Sequence, residues 1–200
     1  MSMDVKKEKN LYAPRTVASS LVVPPMNFVA VDGVGDPKGQ SYQMAMQLLY
    51  GLSFTIKMAP KGGKLIKGYD EPYTVPPLEG LWTCKGDRGD WTWVSMIRLP
   101  EFVDQDLFDW AKGQVATKKK LDVSGLRYFT YDEGLCVQIL HIGPYSEETR
   151  SFALMDAYCK DAAIERKNGI HHELYLSNPR KTASEKLKTI LRYQVTKVNV

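Results

Sequence analysis

At 200 residues, 44% hydrophobic and 25% charged, the chain has ordinary globular composition and is too apolar to belong to the disordered class. Its 27 Lys plus Arg against 23 Asp plus Glu leave a charge of +4 spread along the sequence; the dense run Lys118 to Lys120 reads as a solvated helix end, which argues against a direct nucleic-acid partner. Cys84, Cys136 and Cys159 form no C-x-x-C, and no stretch approaches the roughly 20 apolar residues of a membrane span, so the expectation is a soluble cytoplasmic protein without disulfides, structural zinc or membrane contact.

Residues 1 to 20 are polar and read as an arm preceding the fold. A strand is predicted near Phe28 to Val34, ended by Gly35, Asp36 and Pro37. Tyr42, Ala45, Leu49, Leu52 and Ile56 then recur at helical spacing behind Ser41. After the loop APKGGKLIKGYDEP, VPPLEGLW and WTWVSMIRLP read as two strands around a turn at Gly86 to Gly89. Asp104 is placed to cap a linking helix near 104–118 that carries Leu107, Phe108, Ala111 and Val115 on one face.

The second half reads like the first. GLCVQILHIGPY is a strand closing on glycine, Ser146 opens a helix with Phe152, Met155 and Cys159, and ELYLSNP and KTILRYQV are the final strands. Between those two, Thr182 and Glu185 have the spacing of a capping box. The order strand, helix, strand, strand occurs twice, over about 21–100 and 126–200. This predicts an α+β fold, a tandem pseudo-twofold repeat in one domain with a ligand cleft between the repeats. Aligning VPPLEGLW with IHHELYLS sets Glu79 opposite Glu173.

The stretch HHELYLSNPR puts a carboxylate inside a strand, where Glu is depleted. Alternation points His171, Glu173 and Tyr175 one way and His172, Leu174 and Leu176 the other. The leucines suit the helix-covered side, which leaves Glu173 facing the cleft. Tyr50, Tyr69, Tyr73, Trp82, Trp93, Trp110, Tyr145 and Tyr193 are available to wall it, each offering a flat apolar face and a polar handle. The plainer reading has the aromatics filling a core and Glu173 paired with Arg192. Without a partner, the carboxyl of Glu173 would be pushed toward its neutral form, as acid-base work near neutral pH requires. Adjacent His171 and His172 diverge and cannot share a metal, so no metal site is expected. Neither a G-x-S-x-G elbow nor a G-x-G-x-x-G phosphate loop occurs.

The runs YTVPPLEGLW, WVSMIRLPEFV, LRYFTYDEGLCVQILHIGPYSEE and HHELYLSNPRKTASEKLKTILRYQV together resemble the GyrI-like proteins, specifically the stand-alone subgroup of about two hundred residues, over nearly the whole chain. The resemblance implies tandem α+β units around a ligand cavity with Glu173 at its floor and no cofactor. Multidrug-sensing members set this glutamate against lipophilic cations. Stand-alone members similar to this one hydrolyse the strained cyclopropane of flat DNA-alkylating compounds. The chain departs from the family at His172, Asn178 and Ser184, where Arg, Asp and Pro are usual.

On this reading the ligand is a planar hydrophobic or cationic small molecule. Glu173 orients or deprotonates a water, Tyr50 and Tyr145 are candidate donors to a carbonyl oxygen, and Trp82 and Tyr175 hold flat rings. Glu79 sets polarity opposite, and Met96, Trp110 and Tyr73 complete the ligand contacts. The alternative is a binding or sensing module without chemistry. Fewer than 30 residues precede the first predicted strand, short of a helix-turn-helix. A homodimer remains compatible with the sequence, and inhibition of a protein such as gyrase has only the family's name behind it.

Overall fold

The computed structural model describes residue 5 and residues 7–84 and 91–198. In chain order they form α1 (Lys9–Tyr12), β1 (Ser19–Val23), β2 (Met26–Val34), α2 (Gln40–Met58), β3 (Leu78–Cys84), β4 (Trp91–Arg98), α3 (Gln105–Lys119), β5 (Arg127–Tyr131), β6 (Gly134–Ile142), α4 (Glu148–Asp161), β7 (Ile164–Arg166), β8 (His171–Tyr175) and β9 (Lys188–Lys197). The turn expected at Gly86 to Gly89 lies outside the described residues. The fold is mixed α+β with antiparallel sheet, as expected.

Contacts divide the chain into two units. One is Met26–Pro76 with Cys84–Tyr131; the other is Val5–Pro25, Pro77–Thr83 and Asp132–Val200. In the first, β2 pairs antiparallel with β4 on one side and β5 on the other. Helix α2 buries Ala45, Leu49, Leu52 and Ile56 of the expected stripe and Leu48 beside them, with Tyr42 half-buried. It begins at Gln40 after Gly39, without a side-chain cap, rather than behind Ser41. Helix α3 is capped by Asp104, whose Oδ1 accepts from the Leu107 N–H at 2.9 Å. A residue in left-handed backbone, Lys120 at φ 53°, follows its end.

The second unit is an antiparallel sheet in the order β1-β6-β9-β8-β3, with β7 pairing β9. Residues 9–12 and 19–20, expected within a preceding arm, therefore belong to α1 and β1 of this unit. Strand β3, expected in the first repeat, belongs here as well, because its backbone groups pair with β8. Each unit contains a strand, the helix after it, and a later strand paired antiparallel to the first: β2, α2, β4 in one and β6, α4, β9 in the other.

Side chains directly opposite one another in an antiparallel pair share a face. Helix α4 packs Met155 and Cys159 on the face holding Val137, Ile139, Leu191 and Tyr193. Because Glu173 lies opposite Leu191, it stands on that same face, together with His171 and Tyr175. The sequence expectation is thus reversed. Leu174, opposite Ile190, and His172, opposite Arg192, are buried on the other face. Both faces of β8 are covered, so its leucines carry no information about which one the long helix takes.

Candidate functional site

Glu173 and His171 sit two residues apart in β8 and so share a face. The His171 ring nitrogen Nε2 lies 2.8 Å from Glu173 Oε1. Phe152, on α4, sets an edge against the His171 ring at 5.1 Å between centroids. Glu173 is only 8% exposed. The partner of this carboxylate is His171, not Arg192, which occupies the opposite face.

Directly across from Glu173 on β3 is Gly80. Its missing side chain leaves room for the Trp82 indole, since a Cβ there would come within 2.6 Å of Trp82 Nε1. Trp82 Nε1–H donates to the Tyr175 hydroxyl at 2.8 Å, locking two aromatic groups together. Tyr175 in turn meets Tyr145 edge to face at 5.9 Å.

Tyr145 opens a single 3-10 turn, Tyr145–Glu147, that leads into α4. His141 on β6 holds that turn. Its Nε2 lies 3.2 Å from the Pro144 carbonyl, which can only accept, so Nε2 carries the proton and Nδ1 is left to accept from the Ser151 hydroxyl at 2.9 Å in the neutral ring. Gly143, at φ 138°, takes backbone that other residues avoid, and a Cβ there would lie 2.9 Å from Arg150 Nη2. Tyr145 is 40% exposed, and its hydroxyl is pushed above the usual phenol range by burial, then by the charges of Glu173 and Glu148.

Sequence reasoning missed Glu148. It begins α4, is 8% exposed, and its Oε1 has no hydrogen-bond partner among the described residues. Burial first, and then the negative charge of Glu173, push its carboxyl up to about 9, so it is protonated at neutral pH. A helix N-terminus favours an anion by only about 0.3–1 kcal/mol, too little to offset those two effects. An acid in the first turn of a helix normally reads as a dipole complement, so S-E-E gave no warning. The site therefore pairs a histidine-held carboxylate with a neutral carboxylic acid, beside an aromatic platform.

The opposite face carries a different cluster. His172 Nε2 lies 2.9 Å from Glu79 Oε2 and its Nδ1 3.0 Å from Glu133 Oε1. Arg192 Nη1 reaches Glu133 at 3.1 Å, while its other nitrogens donate to Gln138 Oε1 and the Leu11 carbonyl. Tyr12 donates to Glu79 Oε1 at 3.1 Å. Burial opposes the charge on His172, but Glu133 and Glu79 outweigh it and raise its pKa to about 9. Burial likewise opposes ionisation of Glu133, yet His172 and Arg192 hold it down at about 2. Two cations and two anions make a neutral, sealed network.

Glu79 was expected opposite Glu173. It pairs instead with Leu174, one residue out of register, and a one-residue shift in a strand moves a side chain to the other face. Its exposure is zero and its oxygens serve Tyr12 and His172. Met96, Tyr73, Trp110 and Tyr50 all belong to the first unit. Met96, expected as a ligand contact, is a core residue with no exposed surface, opposite Ala30 in the β2–β4 register. Tyr73 is also buried, its hydroxyl donating to the Ser53 carbonyl and its ring set against Tyr69 and Phe102. Trp110 is half-buried under Lys64 Nζ at 4.4 Å, and Tyr50 is exposed on α2 beside Phe54. Trp82, Tyr145, Tyr175 and Glu173 are the expected residues that gather in the second unit. Among the described residues no three His, Cys, Asp or Glu side chains converge as metal ligands, and no helix is long and apolar enough to cross a membrane.

Two carboxyl groups, Glu173 and Glu148, and the rings of Trp82, Tyr145 and Tyr175 gather in the second unit. Residues 100–195 match the family described as GyrI-like small molecule binding domain. The chain is similar in structure to a hydrolase from Listeria innocua at 42% identity, with 98% of this chain and 100% of that one covered and a TM-score of 0.92. It is also similar to an uncharacterized conserved protein from Listeria innocua at 43% identity, covering 96% and 98% with a TM-score of 0.91. The EcmrR C-terminal domain, 14% identical over 90% of this chain and 98% of that one with a TM-score of 0.58, shares the fold. No curated protein matches the chain in sequence. The fold and site are those of a small-molecule-binding α+β protein, and the chain belongs to the GyrI-like family.

Proposed function

We propose that the Glu173 site binds planar hydrophobic small molecules and hydrolyses those bearing an activated cyclopropane, as a detoxifying activity. The observation that carries this reading is the gathering of Glu173, held by His171, with Tyr145, Tyr175 and Trp82 on one face of the second unit. A solved relative at 42% identity is named a hydrolase, which supports the hydrolytic part.

In a cyclopropane conjugated to a dienone, Glu173 takes a proton from water as the water oxygen bonds to the ring methylene. The strained carbon–carbon bond breaks, its electron pair moves into the ring system, and the dienone oxygen becomes a phenolate, which takes a proton from solvent to give the phenol while Glu173 returns its proton to solvent. Tyr145 donates a hydrogen bond to that oxygen, while Trp82 and Tyr175 support the flat rings. His171 orients the base and stabilises its charge.

The test is loss of the dienone absorbance of a cyclopropane-bearing alkylator incubated with the protein. Wild type should turn it over, and Glu173→Gln should lower kcat by about 100-fold or more while the fold persists, the usual size for a general base. Absence of turnover by wild type would reject the hydrolytic reading. A second reading, a receptor for lipophilic cations without chemistry, is favoured by the two carboxyl groups on the same face. It predicts cation binding that Glu173→Gln weakens and no turnover of any cyclopropane.

A further inference from the structure

Glu148 is a buried acid of this face to which the proposed reaction gives no task. Its Oε1 is sealed from solvent and meets no hydrogen-bond donor among the described residues, so an anion there would stand in an apolar setting beside a second carboxyl group. Glu173 is held by His171, whose Nε2 lies 2.8 Å from its Oε1. One proton on Glu148 is what allows the two acids to coexist, and that proton is released only if positive charge arrives.

We infer that Glu148 is a ligand-gated proton site: neutral while the site is empty or holds an uncharged molecule, it gives up its proton when a lipophilic cation settles beside Glu173. The inference rests on the reading that this face binds small molecules, and it deepens it by assigning the charge selectivity to a particular residue. On cation binding the Glu148 O–H bond breaks, the electron pair stays on the carboxylate, and the proton leaves to solvent. The exchange leaves the site's net charge unchanged. An uncharged planar ligand instead meets Glu148 as a hydrogen-bond donor, so one site accommodates both classes.

Among the described residues, the titratable and charged groups near the first turn of α4 include Glu173, His171 and Tyr175 from β8, Tyr145 and Glu147 from the 3-10 turn, His141 from β6, and Arg150 from α4 itself. His141 is committed to Pro144 and Ser151. Arg150 is committed to the Ile142 carbonyl at 2.6 Å and Glu147 at 3.5 Å. Glu173 acts on Glu148 through its charge, which favours the neutral form. The upward displacement of the Glu148 carboxyl agrees with this arrangement.

The experiment is calorimetric titration of the full chain with tetraphenylphosphonium, a cation with no proton of its own. At a pH of about 7.5, titrations in phosphate and in Tris should differ in heat by close to one buffer protonation per cation bound, and affinity should climb by up to about tenfold per pH unit between about pH 7 and 9. Glu148→Gln should bind the cation with equal heats in the two buffers and with no climb. The neutral analogue triphenylphosphine oxide should show no proton release with either protein. Binding of the cation by wild type with equal heats, or a pH slope that survives in Glu148→Gln, overturns the assignment and leaves the binding function intact. No binding of either probe at any pH overturns the functional reading and this inference with it.

Discussion

The two faces of β8 hold nearly the same chemistry and are put to opposite ends. On one face His172 stands between Glu79 and Glu133 with Arg192 closing the set, and each charge meets a countercharge. On the other face His171 serves Glu173, while Glu148 is left with a buried oxygen and no donor. Burial is similar, so burial does not separate the two clusters. What separates them is whether, among the described residues, every acid stands within ion-pair distance of a basic side chain. A satisfied network holds structure in place, and an unsatisfied acid next to an aromatic platform keeps a capacity that only a ligand or a proton fills.

Breaking the satisfied face should have the largest effect on stability. Arg192→Met strips Glu133 of one cation and frees the Leu11 carbonyl and Gln138, and should destabilise by about 3–5 kcal/mol in urea unfolding, the usual result of removing one member of a buried ion network. A loss below about 1 kcal/mol would mean that the network is not what ties α1 to this sheet.

The pH dependence sharpens the comparison, because both faces contribute with the same sign for different reasons. His172 has a folded-state pKa near 9 against an ordinary 6.5, so its stabilising charge is fully present below about pH 6.5 and is lost as pH rises through 9. That loss is on the order of 3 kcal/mol. Glu148, with its carboxyl near 9 against an ordinary 4.5, holds a proton that the unfolded chain releases, so it too makes stability fall with rising pH across that window. Glu148→Gln should remove the second contribution and stabilise the protein by roughly 1–3 kcal/mol at pH 8, with less gain at pH 5, and His172→Gln should not. Thermal unfolding of both variants across that range separates the faces. A more stable protein after loss of a site residue would mark that acid as kept for function rather than for folding.

The smallest effect is expected within the aromatic platform. Tyr175→Phe removes the acceptor for Trp82 Nε1 while leaving the ring contact with Tyr145, and should lower stability by about 1 kcal/mol. The indole fluorescence of Trp82 should change with it. An unchanged spectrum would show that Trp82 is held by packing across Gly80 alone.

Much of this was legible in the residues. The capping aspartate at 104, the apolar stripes of α2 and α4, the strand closing at Gly143 and the alternation of β8 are local patterns, and local patterns are written in the order of the chain. The features that escaped are those that depend on a partner far away in sequence. The Thr182 and Glu185 spacing suggested a capping box, but the 3-10 turn there spans Ser184–Lys186 without a side-chain cap. Leu174 and Leu176 suggested the wrong face because β8 is covered on both sides. Glu79 was placed one residue out of register with Glu173, enough to turn it from a site residue into part of the sealed network.

By itself the sequence determined the α+β class, the family, and the strand that bears Glu173, because periodicity and motif are properties of neighbours along the chain. Only the tertiary structure decided which face of that strand α4 covers, that His171 rather than an arginine holds Glu173, and that Glu148 keeps its proton. Those outcomes rest on strand register, desolvation and the charge of residues tens of positions away, and none of the three is set until the backbone has closed on itself.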